Sequence, residues 1–180
     1  MPQSAAKSVF LVGPMGSGKT PVGRQLAGRL GYRFVDSDAE IERRTGVDIP
    51  YIFEQEGEAG FRLREREVID ELSAREAIVL GTGGGAILEP DSRERLAARG
   101  VVVYLETSVD QQLGRTRRST NRPLLFTEDP RGRLAELMAV REPLYRSIAA
   151  ITVRTDGRKV RSVVDEIADA LGRMGIGQQE

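Results

Sequence analysis

The chain has 180 residues, 39% of them hydrophobic and 30% charged, with 27 basic residues against 27 acidic ones and neither Cys nor His. That length and apolar fraction suffice for one domain with a real core, and the charge density excludes a membrane protein. The even charge balance argues against a generic nucleic-acid binder, and the missing residue types exclude disulfides, thiolate or imidazole zinc sites and imidazole acid/base catalysis.

Short apolar runs predict strands near 8–12, 33–35, 77–80, 101–105 and 151–153. Between them, amphipathic segments predict helices over 19–30, 38–45, 50–56, 60–75, 91–98, 109–118, 131–148 and 158–174. This alternation predicts one α/β domain whose parallel sheet is covered on both faces. The segment 117–130, rich in Arg, Ser, Thr, Asn and Pro, reads as a surface loop of the kind that closes as a lid. No apolar stretch approaches the length of a signal or spanning segment, so a cytoplasmic location and no membrane partner are expected.

Between the first strand and the first helix lies Gly13-Pro-Met-Gly-Ser-Gly-Lys-Thr20, the phosphate-binding loop pattern in its expected context. Glycines at 13, 16 and 18 allow backbone N–H groups to converge on a polyphosphate at the N-terminus of the next helix. Lys19 can neutralise the β and γ phosphates, and Thr20 offers a hydroxyl to Mg²⁺, a hard cation that takes few protein ligands. Pro21 is tolerable because the first helical turn has free N–H groups.

Ligands of open α/β sheets gather beyond the carboxyl ends of the strands, which gives weight to the polar residues there. Asp36-Ser-Asp38 follows the second strand. One carboxylate could approach hydrated Mg²⁺ or a reacting hydroxyl and the other could accept from substrate hydroxyls, although Asp36 or Ser37 could also simply cap the next helix. Gly81-Thr-Gly-Gly-Gly85 follows the third strand and offers N–H groups and an open wall for a small ring, or else a plain turn. Arg62 and Arg141, if they converge, could hold a carboxylate with their planar forks. Arg115, Arg117, Arg118 and Arg122 crowd the loop, where a lid arginine would close on a transferring phosphate. Glu106 follows the fourth strand as an ATPase-type carboxylate would, but Thr107-Ser108 after it looks like a helix N-cap, and an Asn-Lys-x-Asp guanine motif is missing.

Taken together, GPMGSGKT followed by VGRQLA, then FVDSDAEIE, IFEQEGEAGFR, GTGGG, NRPLL and REPLYR resemble shikimate kinase in order and spacing from about residue 9 to 167. The resemblance implies a P-loop three-layer sandwich of nucleoside-monophosphate-kinase type, with a five-stranded parallel sheet in order 2-3-1-4-5. It implies ATP-dependent phosphorylation of the 3-hydroxyl of shikimate, a step of aromatic amino-acid biosynthesis, by a monomer that acts on small molecules. Gly16, Ser17, Gly18, Lys19, Thr20 and Pro21 would then meet ATP, with Thr20 and Asp36 toward one Mg²⁺. Asp38 would hold the attacking hydroxyl, Arg62 and Arg141 the carboxylate, and Gly83, Gly84 and Gly85 the ring. Arg122 looks like the lid arginine, Arg115 and Arg158 resemble adenine-side contacts, and the lid and acceptor segments would span about 115–130 and 37–65. Pro21 stands where the family commonly has Ser or Thr. The residues read without the resemblance leave open another small-molecule P-loop kinase, of gluconate or nucleotide type, or a nucleotide-binding module without phosphotransfer.

Overall fold

The computed structural model describes residues 6–117 and 127–177. Five strands form one sheet in the order β2-β3-β1-β4-β5, every neighbouring pair parallel. Central β1 (Ser8–Val12) is buried throughout, because its alternate side chains serve two cores. Phe10 and Val12 join the layer under α3 (Ile49–Ser73), α4 (Pro90–Arg99) and α6 (Pro130–Ile148), whereas Val9 and Leu11 join the layer under α1 (Lys19–Leu30) and α7 (Val160–Arg173). The edge strands β2 (Arg33–Asp36) and β5 (Ile151–Arg154) are more exposed than the central β3 (Ile78–Gly81) and β4 (Gly100–Glu106).

Local chemistry sets the element ends that position the site. Helix α1 opens on Gly18 at φ 91° and closes on Gly31 at φ 68°, both left-handed conformations that cost glycine little. Asp36 caps α2 (Ser37–Thr45), so the strand end and the helix start are the same residue. Asp48 caps α3. The two helices expected over 50–56 and 60–75 are one span bent at Gly57, whose φ of 71° and ψ of −178° lie in a region open essentially to glycine alone. Strand β3 starts one residue later than expected because Ala77 adopts φ 52°. There its N–H donates to the Ala6 carbonyl at 3.1 Å and its own carbonyl accepts from the Arg33 N–H at 3.1 Å. Ser8 fastens this corner, its hydroxyl donating to the Arg75 carbonyl and accepting from the Ile78 N–H. A short 3₁₀ turn, Ala86–Leu88, leads into α4, and α5 (Val109–Thr116) follows β4.

Gly57 and Gly28 separate backbone strain from crowding, since a Cβ at either position would meet nothing within 4 Å. Gly57→Ala is expected to destabilise the fold by about 1–3 kcal/mol through its backbone angles. Gly28→Ala, inside regular α1, should stabilise it by about 0.5–1 kcal/mol. Urea unfolding midpoints of the two variants check this, and shifts of the same sign would refute the strain account.

Candidate active site

The phosphate-binding loop curls at the carboxyl end of β1 because its glycines sit against other elements. A Cβ on Gly13, at φ 152°, would stand 2.8 Å from the Leu105 carbonyl of β4. One on Gly16, at φ 77°, would stand 3.1 Å from the backbone of Gln112 in α5. The Lys19 ammonium donates to the carbonyls of Gly13 at 2.6 Å and Pro14 at 2.8 Å, which keeps the cation over the loop. Ser17 is fully buried, so it can offer a ligand its backbone more readily than its hydroxyl.

Asp36 uses its carboxylate twice. Oδ1 accepts from the Ala39 N–H at 3.0 Å as the α2 cap, and Oδ2 accepts from the Thr20 hydroxyl at 3.3 Å. Capping and a position beside the Mg²⁺ candidate Thr20 are therefore compatible. Ser37 is not the cap; its buried hydroxyl accepts from the Gly83 N–H at 3.1 Å. That bond commits the Gly83 N–H, one of the backbone N–H groups that the glycine run was expected to offer. The glycines at 83 and 85 are required instead by side chains pressed against them. A Cβ on Gly83 would lie 2.6 Å from Glu65 Oε2 and 2.8 Å from Asp38 Oδ1, and one on Gly85 would collide with the Arg62 guanidinium.

The two arginines do converge. A cleft of about 310 Å³ is lined by Asp38, Arg62, Gly83, Gly84, Gly85 and Arg141 together with Gly16, Gly18, Lys19, Thr20, Pro21, Asp36 and Arg115. Arg62 donates from Nη1 to Glu65 at 2.7 Å, and its head lies over the Phe61 ring. Burial works against the Arg62 charge, but Glu65 and the nearby Glu58 together hold its pKa above the ordinary arginine value. Arg141 is only 3% exposed and makes no ion pair among the described residues. Its pKa is pulled down by burial, with the like charge of Arg62 acting in the same direction. Cleft and arginines thus form a buried site with cationic character in excess of its carboxylates.

Glu65 was not anticipated, because in Leu63-Arg-Glu-Arg66 it looks like one charge of a solvated helix face. It is 2% exposed; burial pushes its pKa up, against the pull of Arg62 and Arg141, and its Oε2 has no hydrogen-bond partner among the described residues. Its spacing three residues after Arg62, on the same helix face, was the available signal. Tyr145 was also missed. One turn after Arg141, it is fully buried, donates its hydroxyl to the Gly84 carbonyl and stacks on Tyr104 at 5.1 Å between centroids. Phe53 and Phe61, 5.0 Å apart, supply the apolar wall.

Arg158 does not reach the main cleft. It lines an adjoining groove with Pro21, Val22, Arg115 and Val160, and its guanidinium is committed to Glu166, Ser162 and the Arg154 carbonyl. Arg115 lines both spaces and donates to the Gly16 carbonyl at 2.9 Å. Glu106 is structural, accepting from Arg146 at 2.7 Å and Arg154 at 3.2 Å, and Ser108 provides the α5 cap. Arg122 and Arg118 lie outside the described residues.

A family model described as shikimate kinase matches residues 15–172. A shikimate kinase of Halorhodospira halophila is 60% identical over 163 residues, which cover 91% of this chain and 92% of that protein. Among solved structures, shikimate kinase from Acinetobacter baumannii in complex with shikimate is 51% identical, with a TM-score of 0.92 and coverage of 94% of each chain. A gluconokinase from Sinorhizobium meliloti shares the fold with a TM-score of 0.62 at 18% identity, so the architecture alone does not select the acceptor. Motifs, coverage and identity show the family: the chain belongs to the shikimate kinase family.

Proposed function

We propose that this cleft carries out its family's reaction, transfer of the γ-phosphoryl group of ATP to the 3-hydroxyl of shikimate, with the following division of labour. The chain is a phosphotransferase of that family, and shikimate phosphorylation is a step of aromatic amino-acid biosynthesis. The observation that supports the acceptor reading most is the buried Arg141, without an ion pair among the described residues, beside Arg62 in one cleft. Burying a guanidinium without a counter-ion is costly, and a planar carboxylate between the two forks offsets that cost.

Thr20 and Asp36 fit one Mg²⁺ as hard oxygen donors, and no group of three or more Asp, Glu, His or Cys able to hold a metal occurs among the described residues. That sparse set is what Mg²⁺ takes when nucleotide phosphates and waters complete its shell. Bound with ATP, the ion supplies neutralisation of charge on the β and γ phosphates. Lys19, held over the loop, contributes the protein's cation at the same place. Gly16, Ser17 and Gly18 offer backbone dipoles, and Pro21, Arg115 and the Arg158 groove lie toward the adenine. The lid role of Arg122 rests on the sequence NRPLL alone.

On the acceptor side Arg62 and Arg141 fix the carboxylate, and Gly83, Gly84 and Gly85, which line the same cleft, meet the ring. Asp38 orients the attacking hydroxyl and receives its proton late in the transfer, since a loose phosphoryl transition state needs little early deprotonation. Glu65 holds the Arg62 head in place, while Phe53 and Phe61 help to exclude water.

ADP release with Mg²⁺ and ATP should depend on shikimate, with gluconate, AMP and no acceptor close to background; comparable turnover with gluconate would overturn the acceptor assignment. Asp38→Asn should lower kcat by about 10²-fold or more, the range of positioned proton acceptors, while ATP binding by calorimetry stays within about twofold. Arg141→Gln should raise the shikimate KM by about 30-fold or more, equivalent to roughly 2 kcal/mol, and leave the ATP KM unchanged. Because it removes a buried cation, the same substitution should not lower the acceptor-free Tm, and a large drop would show that Arg141 is a structural group.

A further inference from the structure

The Arg62 guanidinium is divided among its neighbours in a way that identifies a role for Glu58. Its Nη1 is taken by buried Glu65 at 2.7 Å, its Nη2 reaches Glu58 Oε1 at 3.4 Å, and its Nε has no partner among the described residues. Nε and Nη2 form the side-on edge of a guanidinium, which can grip both oxygens of one carboxylate. Among the described residues that edge is used in this way twice elsewhere. Arg43 donates Nε and Nη2 to the two oxygens of Glu40 at 2.9 and 2.7 Å, and Arg64 does the same to Glu56 at 2.8 and 2.6 Å. At Arg62 the grip is half made and long. Glu58 is half-exposed and stands one residue after the Gly57 bend, which sets its approach to the edge.

We infer that Glu58 is a resident competitor for the acceptor's carboxylate: it occupies one half of the Arg62 edge that a bound acid takes in both halves, and it swings into solvent when the acid arrives. This rests on the proposed role of Arg62 as a carboxylate anchor. Glu65 differs in kind, since it is buried, bonded to the opposite side of the guanidinium, and able to remain there while the edge changes partners. Glu58 therefore lowers acid affinity while keeping the empty arginine oriented. Its half-exposed contact is of the class whose free energy corresponds to a change of about 1.5- to fivefold in an equilibrium constant.

The test is calorimetric titration of shikimate into the wild-type protein and into Glu58→Gln, Glu54→Gln, Arg62→Gln and the Glu58→Gln/Arg62→Gln double variant, with steady-state kinetics alongside. Glu54 is exposed on the same helix and controls for loss of a remote negative charge. Glu58→Gln is expected to tighten shikimate Kd about two- to fivefold, with kcat and the ATP KM unchanged, and the gain should vanish in the Arg62→Gln background. An unchanged or weaker Kd in Glu58→Gln, an equal gain in Glu54→Gln, or a gain that persists without Arg62 would overturn the inference. The two readings fail separately. If Arg62→Gln binds shikimate normally, the anchor role of Arg62 falls; if Arg62→Gln binds poorly and Glu58→Gln shows no gain, only the competitor role falls.

Discussion

Two guanidinium groups beneath a glycine wall set the terms for one half of the cleft. Arg62 and Arg141 are both largely removed from water, and only Arg62 has a buried carboxylate bonded to it. Their neighbours follow from that arrangement. Glu65 is buried beside Arg62, and its charge is compensated chiefly through that cation, with Arg141 adding to it. Gly83 and Gly85 lack side chains because the Glu65 carboxylate, the Asp38 carboxylate and the Arg62 head occupy the volume in which a Cβ would lie. Tyr145 bonds the Gly84 carbonyl and ties the glycine wall to the helix that carries Arg141. Pro143, between those two residues, withdraws one helical N–H at that point.

The phosphate half depends on backbone in place of buried charge. Its conformation is held by contacts of Gly13 and Gly16 with β4 and α5, so the loop is positioned by elements distant in sequence. The two halves meet where β1 and β3 run side by side. Thr82 links them, its hydroxyl donating to the Leu11 carbonyl at 2.8 Å. The paired strands therefore hold the phosphate-binding loop after β1 and the glycine run after β3 side by side, the arrangement that favours catalysis by positioning.

Much of this was legible in the residues. Strand β1 could be read because its continuous apolar run fits a sheet buried on both faces, and the phosphate loop because its fixed positions fell between that strand and a helix. The strand order and the set of acceptor residues came from resemblance to a family, since spacing alone does not say that Arg62 and Arg141, 79 positions apart, face one another. Other features were hidden for physical reasons. Glu65 lies among arginines and glutamates whose pattern is that of a solvated surface, and only the fold puts one of them inside. The commitment of the Gly83 N–H to Ser37 depends on β2 and β3 pairing in register, from Asp36 opposite Gly81, which no local window contains. Ala77 carries no sequence mark of its left-handed backbone, because the conformation is fixed by pairing with Ala6 and Arg33.

Asp36 joins the halves in a further way. Its two oxygens belong to one rigid plane, with Oδ1 fastening the first turn of α2 and Oδ2 meeting the hydroxyl at the head of α1. Rotating that plane to present one oxygen differently displaces the other as well. A turn of that plane is therefore felt both at the entrance to the helix bearing Asp38 and at the Thr20 hydroxyl.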